Sequence, residues 1–217
     1  MNLTGHYLDQ LREREKLPPF PPSLLKEDDM AVLEKKLGYP LPEQYREFLL
    51  TVRLPDLKLR ICLSGGGLFF WQTLSPASGR YVDTEDGGPC LIDLNWYGLA
   101  GLCGSDYMDC FRRRAGEMSS WLKAGFLRTA DFYMEDYFVF YDLVSGRVLY
   151  IHNEDINESS DVCACWNDPA SIRRFMENEA SVLCRDFHNF LRLVCTGETY
   201  DDGTGTFSAP ASWNLYS

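Results

Sequence analysis

The residues of this sequence that could take part in catalysis are two pairs of adjacent carboxylates and three histidines. The acid pairs are Glu85-Asp86 and Glu154-Asp155, and the three histidines are His6, His152 and His188. Two carboxylates can act as acid and base or hold a cation, but neighbours in the chain point in different directions, and these pairs lie in polar sequence. No serine or cysteine nucleophile motif accompanies His152, the best catalytic candidate. We therefore expect these acid pairs to lie in solvated loops and the protein not to be an enzyme. The alternative is a hydrolase or nucleotide-modifying enzyme, which would lose activity when His152 or Glu154 is changed.

Eight cysteines offer metal binding: Cys62, Cys90, Cys103, Cys110, Cys163, Cys165, Cys184 and Cys195. Their density is below the roughly 8 to 10% of a disulfide scaffold, so we expect reduced, mostly buried thiols. Cys163 and Cys165, with Cys103 and Cys110 as remote partners, would supply four zinc ligands, but the spacing is not that of a zinc knuckle. The glycines at 65–67 lack the Lys-Ser/Thr end of a phosphate loop and predict a turn or bulge. We therefore predict no metal and no cofactor.

The overall charge limits the class of partner. The chain carries 32 acidic and 21 basic residues among 217, a formal net charge of -11. Phosphate backbones and anionic lipid surfaces are negatively charged and attract proteins with an excess of basic residues, so we expect neither nucleic acid nor membrane as a partner. The N-terminus reaches charged residues before any apolar run of signal-peptide length, and no segment approaches the roughly 20 apolar residues of a membrane span. We expect a cytoplasmic protein; the sequence does not define its oligomeric state.

Helical periodicity dominates the first quarter of the chain. A short charged helix precedes the Pro-rich run LPPFPP (17–22), which is either a polyproline ligand or a stiff connector; we interpret it as a connector. A second helix begins at the acidic residues 27–29 and stops at Gly38, and a third begins after Pro42. The short link between these two predicts an antiparallel or angled helix pair.

Strand patterns occupy the middle of the chain. The run YFVFYDLVSGRVLYIHN (137–153) predicts a hairpin around Ser145-Gly146, with a neighbouring strand just before it. Further strand patterns lie at 59–71, 88–102 and 161–166, and a helix pattern lies at 111–125. From Asp168 a helical pattern continues to Gly197, and a polar, mobile tail follows it. Segregated helices and a meandering sheet predict an α+β fold, a twisted, mostly antiparallel sheet flanked by N-terminal and C-terminal helices.

The string MAVLEKKLGYPLPEQYREFLLTV resembles the N-terminal signature of the SUKH superfamily, the SMI-KNR-type proteins. The matching residues are Leu33, Glu34, Leu37, Gly38, Leu41, Pro42, Tyr45, Arg46, Phe48 and Leu49. The hairpin pattern and a late helix of the form F..FL..L extend the resemblance, whereas residues 90–125 match no landmark of the family. We divide the chain into an N-terminal helix and Pro-rich connector (1–26), a SUKH-like domain (27–197) and a polar tail (198–217).

The resemblance implies binding without catalysis. Bacterial members of the superfamily resemble immunity proteins that neutralise a cognate polymorphic toxin, and fungal members act as regulatory scaffolds. We expect an immunity protein that blocks the active or substrate-binding surface of its toxin; the alternative is a regulatory scaffold with an endogenous protein partner.

Three acid-rich stretches contain no lysine or arginine: 81–111, 129–146 and 148–172. An acidic surface competes with phosphate for the basic groove of a nuclease-like toxin and speeds encounter, and the interleaved Tyr and Trp are typical of interface hot spots. We therefore expect a basic partner. The predicted partner-binding residues are Asp83, Glu85, Asp86, Tyr97, Asp106, Tyr133, Glu135, Asp136, Glu154, Asp155, Glu158 and Asp161.

Overall fold

A computed structural model describes residues 2–64, 73–74, 81–82, 90–97, 119–132, 137–152, 156, 168–201 and 203–209 of the chain. Its helices are α1 (Leu3–Glu15), α2 (Glu27–Leu37), α3 (Glu43–Thr51), α4 (Ser119–Lys123), α5 (Pro169–Glu179) and α6 (Phe187–Thr196). Its strands are β1 (Leu57–Ser64), β2 (Thr73–Leu74), β3 (Tyr81–Val82), β4 (Cys90–Trp96), β5 (Phe126–Phe132), β6 (Tyr137–Asp142), β7 (Val148–His152), β8 (Ser181–Cys184), β9 (Thr199–Asp201) and β10 (Thr206–Ser208).

Eight of these strands form one curled sheet in the order β10-β9-β1-β4-β5-β6-β7-β8, and β2 pairs with β3 alone. Neighbours in the large sheet run antiparallel except β1 and β9, which run parallel. Helices precede and follow the strands in the chain. The structure therefore confirms the predicted α+β fold, a mostly antiparallel sheet with N-terminal and C-terminal helices.

The larger core lies between one face of this sheet and helices α1, α2, α3 and α6. Its centre is aromatic: the Tyr45 ring lies 5.2 Å from that of Phe187 and 5.0 Å from that of Tyr141, and Phe48 stacks on Trp96 at 6.0 Å. Such ring pairs contribute about 0.5–1.5 kcal/mol beyond their buried area. A smaller core lies on the opposite face, where α4 and α5 cover β6 and β7.

The family signature occupies scaffold positions. Glu34, on α2, accepts a hydrogen bond from the backbone N–H of Leu41 at 2.9 Å. It also forms an ion pair with Arg46 on α3, whose guanidinium donates to the Glu34 carboxylate at 2.8 Å. Gly38 ends α2 with a φ of +87°, where a side chain would be strained. The signature therefore fixes the angle between two helices and buries their apolar faces.

The predicted hairpin is confirmed, and Asp142 explains its turn. This carboxylate accepts hydrogen bonds from the N–H groups of Val144 and Ser145 and from the Ser145 hydroxyl. It also receives both terminal nitrogens of Arg173 from α5, at 2.8 and 2.9 Å. Gly146 supplies the positive φ, +78°, that the turn requires. The turn is thereby attached to the helix that covers the smaller core.

The prediction of one helix from Asp168 to Gly197 is wrong. The chain forms α5, then strand β8 on the edge of the sheet, then α6. Ala180 adopts extended backbone at the end of α5, and Asp186 accepts the Asn189 N–H as the N-cap of a new helix. Hydrogen bonding of β8 to β7 therefore overrides the helical periodicity of this segment.

Residues 199–208, which the sequence analysis assigned to a polar tail, form β9 and β10. β9 pairs with the end of β1, and Phe207 of β10 packs on Tyr200 with ring centroids 4.7 Å apart. Arg192 of α6 holds this hairpin, because its guanidinium binds both carboxylate oxygens of Glu198, at 2.6 and 2.7 Å, and lies over Phe207. The described part of the supposed tail is therefore an ordered edge of the sheet.

Candidate partner-binding surface

The strand register brings several strand ends to one end of the sheet. Leu63, near the end of β1, pairs with Cys90 at the start of β4, and Phe132, the end of β5, pairs with Tyr137, the start of β6. Tyr137 in turn pairs with His152, the end of β7. We call this the acid-linked end, because each of the three acid-rich connections to these strands attaches here.

Ten of the twelve predicted partner-binding residues belong to those connections. Asp83, Glu85 and Asp86 precede β4; Tyr133, Glu135 and Asp136 join β5 to β6; Glu154, Asp155, Glu158 and Asp161 follow β7. All ten lie outside the described residues, as does Asp106. Their role in binding a partner stays a prediction, while the strand ends that flank them are fixed by the register.

Tyr97 is the one predicted partner-binding residue that the structure describes. It follows β4 at the opposite end of the sheet and is half-buried. Its hydroxyl donates to the Asp131 carboxylate, and Arg128 donates to the hydroxyl oxygen at 3.2 Å. The Arg128 guanidinium also lies 5.3 Å from the centroid of the Tyr97 ring. These contacts hold the ring in one orientation, which lowers the entropy cost of using it in an interface.

Asp131 is the buried centre of this cluster. Its side chain is 1% exposed. One oxygen accepts from Asn95 at 2.7 Å, and the other accepts from Tyr97 and lies 3.5 Å from Arg128. A buried carboxylate with three donors is a rigid support for the side chains above it. Arg128 extends the cluster to the smaller core by lying 3.8 Å from the centroid of Phe138.

The same sheet face continues as a polar row onto β1. Lys58 lies opposite Asn95, and Asn95 lies opposite Asp131, so the three residues share a face across three strands. In the next row Arg60 pairs with Asp93 at 3.0 Å, and both are well exposed. The described part of this face therefore mixes cations and anions, unlike the acidic connections at the other end.

Sequence reasoning named Tyr97 but missed Asn95, Arg128 and Asp131. A signal for the first was present, since the alternation of Asp93, Asn95 and Tyr97 with apolar residues marks one polar face of a strand. The parts played by Arg128 and Asp131 had no such signal, because a bulge between Arg128 and Ala130 changes which residues of β5 share a face.

The described histidines occupy separate places. His152 is half-buried, with its ring 4.7 Å from that of Tyr137 in a T-shaped arrangement, and Glu154 lies outside the described residues. His188 lies 3.3 Å from Glu47, between α6 and α3, and His6 is exposed on α1. The three histidines therefore lie on three different elements, α1, β7 and α6.

Cys62, Cys184 and Cys195 are free thiols buried in the protein. Burial raises the pKa of the Cys62 and Cys195 thiols, which suppresses the reactive thiolate. Among the described residues no group of three or more His, Cys, Asp or Glu side chains is arranged to hold a metal ion. Cys103, Cys110, Cys163 and Cys165, the zinc alternative of the sequence analysis, lie outside them.

The described residues form an α+β scaffold in which the signature residues pack two helices together and polar residues run along one face of the sheet. The chain belongs to the SMI1 / KNR4 family (SUKH-1), whose model matches residues 24–193. No curated protein and no solved structure matches it. Within the described part of the chain, no helix has the length and apolar character needed to cross a bilayer.

Proposed function

We propose that the protein is a toxin-neutralising immunity protein that acts by binding and not by turnover. The match to the SUKH-1 family over residues 24–193 is the observation that carries this proposal. The signature of the family forms the α2–α3 pair, whose apolar residues pack into the larger core, so we assign recognition to the sheet ends and their connections instead. The cognate toxin is a basic protein with a nuclease-like substrate groove, and this protein neutralises it in the cytoplasm.

The acid-linked end is the proposed contact surface. Three connections rich in Asp and Glu join the sheet there, and Glu179, which is exposed, ends α5 two residues before β8 starts at the same end. Carboxylates on adjacent connections add their potentials, which raises the rate of encounter with a basic surface. Bound there, the protein would occupy the position of substrate phosphates and block access to the toxin's active site.

Affinity capture from the source lysate, at low and high salt, identifies the partner, and two charge-reversed variants then locate the contact. The first variant changes Glu85, Asp86, Glu154 and Asp155 to Lys. The second, a control with the same change in net charge, alters four exposed acids of the helices: Asp9, Glu13, Asp28 and Glu43.

We expect the first variant to lose roughly tenfold or more in association rate and to stop neutralising the toxin, and the control to change by no more than about threefold. Equal losses in both variants would mean that only overall charge matters, which contradicts the located surface. Capture of endogenous regulatory proteins alone would favour the scaffold function. Turnover that depends on His152 or Glu154 would favour an enzyme.

A further inference from the structure

The Pro-rich segment between α1 and α2 is exposed with a period of three residues. Leu17, Phe20 and Ser23 are half-buried: the first two pack against the larger core, and the Ser23 hydroxyl donates to the Leu49 carbonyl. The intervening residues Pro18, Pro19, Pro21 and Pro22 are all exposed. A polyproline II helix has three residues per turn, so one edge of the segment faces the body and two edges face outward.

Covalent structure holds the segment in this form. Every residue from 17 to 22 is either a proline, whose ring fixes φ, or precedes a proline, which disfavours helical backbone and favours extended or polyproline II backbone. Both ends are attached to the body: the Leu17 N–H donates to the Arg12 carbonyl at 2.9 Å, and the Arg53 N–H donates to the Pro21 carbonyl at 2.9 Å. Pro22 also forms an isolated bridge with Val52. The segment is therefore ordered before any partner arrives.

We propose that this segment is a docking ligand for a protein domain with an aromatic-lined groove that accepts two proline dipeptides, as SH3 domains do. The dipeptides are Pro18-Pro19 and Pro21-Pro22, and the residue between them, Phe20, turns toward the protein's own core. Such grooves recognise the preformed polyproline II shape. This surface is separate from the acid-linked end and does not depend on the proposed toxin.

The charge beside the segment defines the groove further. Lys16 is exposed and stands three residues before Pro19, which itself stands three residues before Pro22. The spacing is basic-x-x-Pro-x-x-Pro, so the partner groove carries carboxylates next to its first proline pocket. A segment that only connects two helices needs no more than the length to span the distance between them. The outward direction of both dipeptides, together with the cation at this spacing, is an arrangement that a ligand requires.

The test titrates the intact protein into a purified SH3 domain that selects basic-x-x-Pro-x-x-Pro ligands and follows groove tryptophan fluorescence. A synthetic peptide spanning residues 15–24 is titrated in parallel. We expect the intact protein to bind at least as tightly as the peptide, because its fold has already ordered the segment. Binding of the peptide but not of the protein would show that the body hides the ligand faces and that the segment is a connector. Absence of binding by both would also overturn the proposal.

Substitutions assign the contact to the segment. Pro19→Ala is expected to weaken binding roughly tenfold, and Lys16→Glu by a similar factor. Pro40→Ala, which removes an exposed proline from the α2–α3 link, is the matched control and should leave the affinity unchanged. Thermal unfolding checks that the variants fold; if Pro19→Ala does not, Lys16→Glu alters only an exposed side chain and still decides. Unchanged affinity in a folded Pro19→Ala or Lys16→Glu variant would contradict the proposal.

Discussion

At the scale of single residues, Asp142 shows how a buried charge holds several elements together. Its side chain is 2% exposed and binds the guanidinium of Arg173, which also donates to the Ala124 carbonyl and lies over the Phe126 ring. The carboxylate therefore links the β6–β7 turn, α5 and the start of β5. Removing one partner of such a pair leaves the other without a counter-charge, which costs more than the pair contributes.

Asp142→Asn is expected to lower the free energy of unfolding at pH 7 by about 3 kcal/mol. Burial raises the pKa of the Asp142 carboxyl, but hydrogen bonds from Arg173 and Ser145 outweigh it, and the pKa lies below its ordinary value. A lowered folded-state pKa gives stability that is present above the ordinary value and is lost as pH falls below about 4. Urea unfolding between pH 7 and 2.5 should show a steep acid loss in the wild type and a flatter profile in the variant.

Asp93→Asn is the control for this prediction. Asp93, on β4, likewise pairs with an arginine, in this case Arg60 on β1, but both side chains are well exposed. We expect a loss of no more than about 1 kcal/mol, because solvent screens an exposed pair. A similar loss in both variants would mean that burial of Asp142 adds nothing.

At the scale of elements, the α2–α3 pair depends on one carboxylate with two roles. Glu34 accepts the N–H of Leu41 in the link and the guanidinium of Arg46 on α3, and it is 18% exposed. Glu34→Ala, which removes both contacts, is expected to cost about 2 kcal/mol, and Glu34→Gln, which keeps an acceptor for the N–H, about half of that. Urea unfolding with circular dichroism measures both.

Glu27→Ala provides the comparison, because Glu27 binds the same arginine but is 70% exposed. Its loss should be within about 0.5 kcal/mol. If Glu34→Gln were as damaging as Glu34→Ala, the charge pair alone would matter, and the hydrogen bond to the link would be without effect.

The elements that the sequence predicted correctly are those whose signals are local. The α2–α3 pair has an acidic first turn, Gly38 and Pro42 as boundaries, and the β6–β7 hairpin has Gly146 in its turn. β8 and β9 were missed because their identity depends on partners far away in the chain: Thr199 pairs with Cys62, 137 residues earlier. Pairing at such separation leaves no periodic mark in a three-residue strand.

For the candidate site, too, the sequence revealed what is local and not what depends on distant strand pairing. The sequence indicated that Asp and Glu collect in three connections, and the register places the attachment points of those connections at one end of the sheet. Composition could not reveal this placement, because it depends on strand order. Nor could it reveal that Tyr97 lies at the other end, supported by a buried Asp131.

At the scale of the whole molecule, both ends of the chain complete the fold beyond the family match. Helix α1 packs on α6, and Arg14 donates to the Val194 carbonyl at 3.0 Å. Arg185, just before α6, donates to the Thr204 carbonyl in the β9–β10 turn at 2.9 Å, and Arg192 of α6 binds Glu198. Segments on both sides of the matched region therefore make contacts with α6 or with the residue that leads into it.

The net charge of -11 should affect the rate at which the protein binds a basic partner. If the acid-linked end meets a basic toxin, long-range attraction speeds encounter, and salt screens it once the Debye length falls from about 10 Å at 0.1 M to about 3 Å at 1 M. Stopped-flow mixing across this range should show the association rate falling roughly tenfold or more, with a much smaller change in the dissociation rate. The variant with four reversed connection acids should show a markedly weaker salt dependence than the control with four reversed helix acids. An association rate independent of salt would mean that shape and apolar contact, and not charge, select the partner.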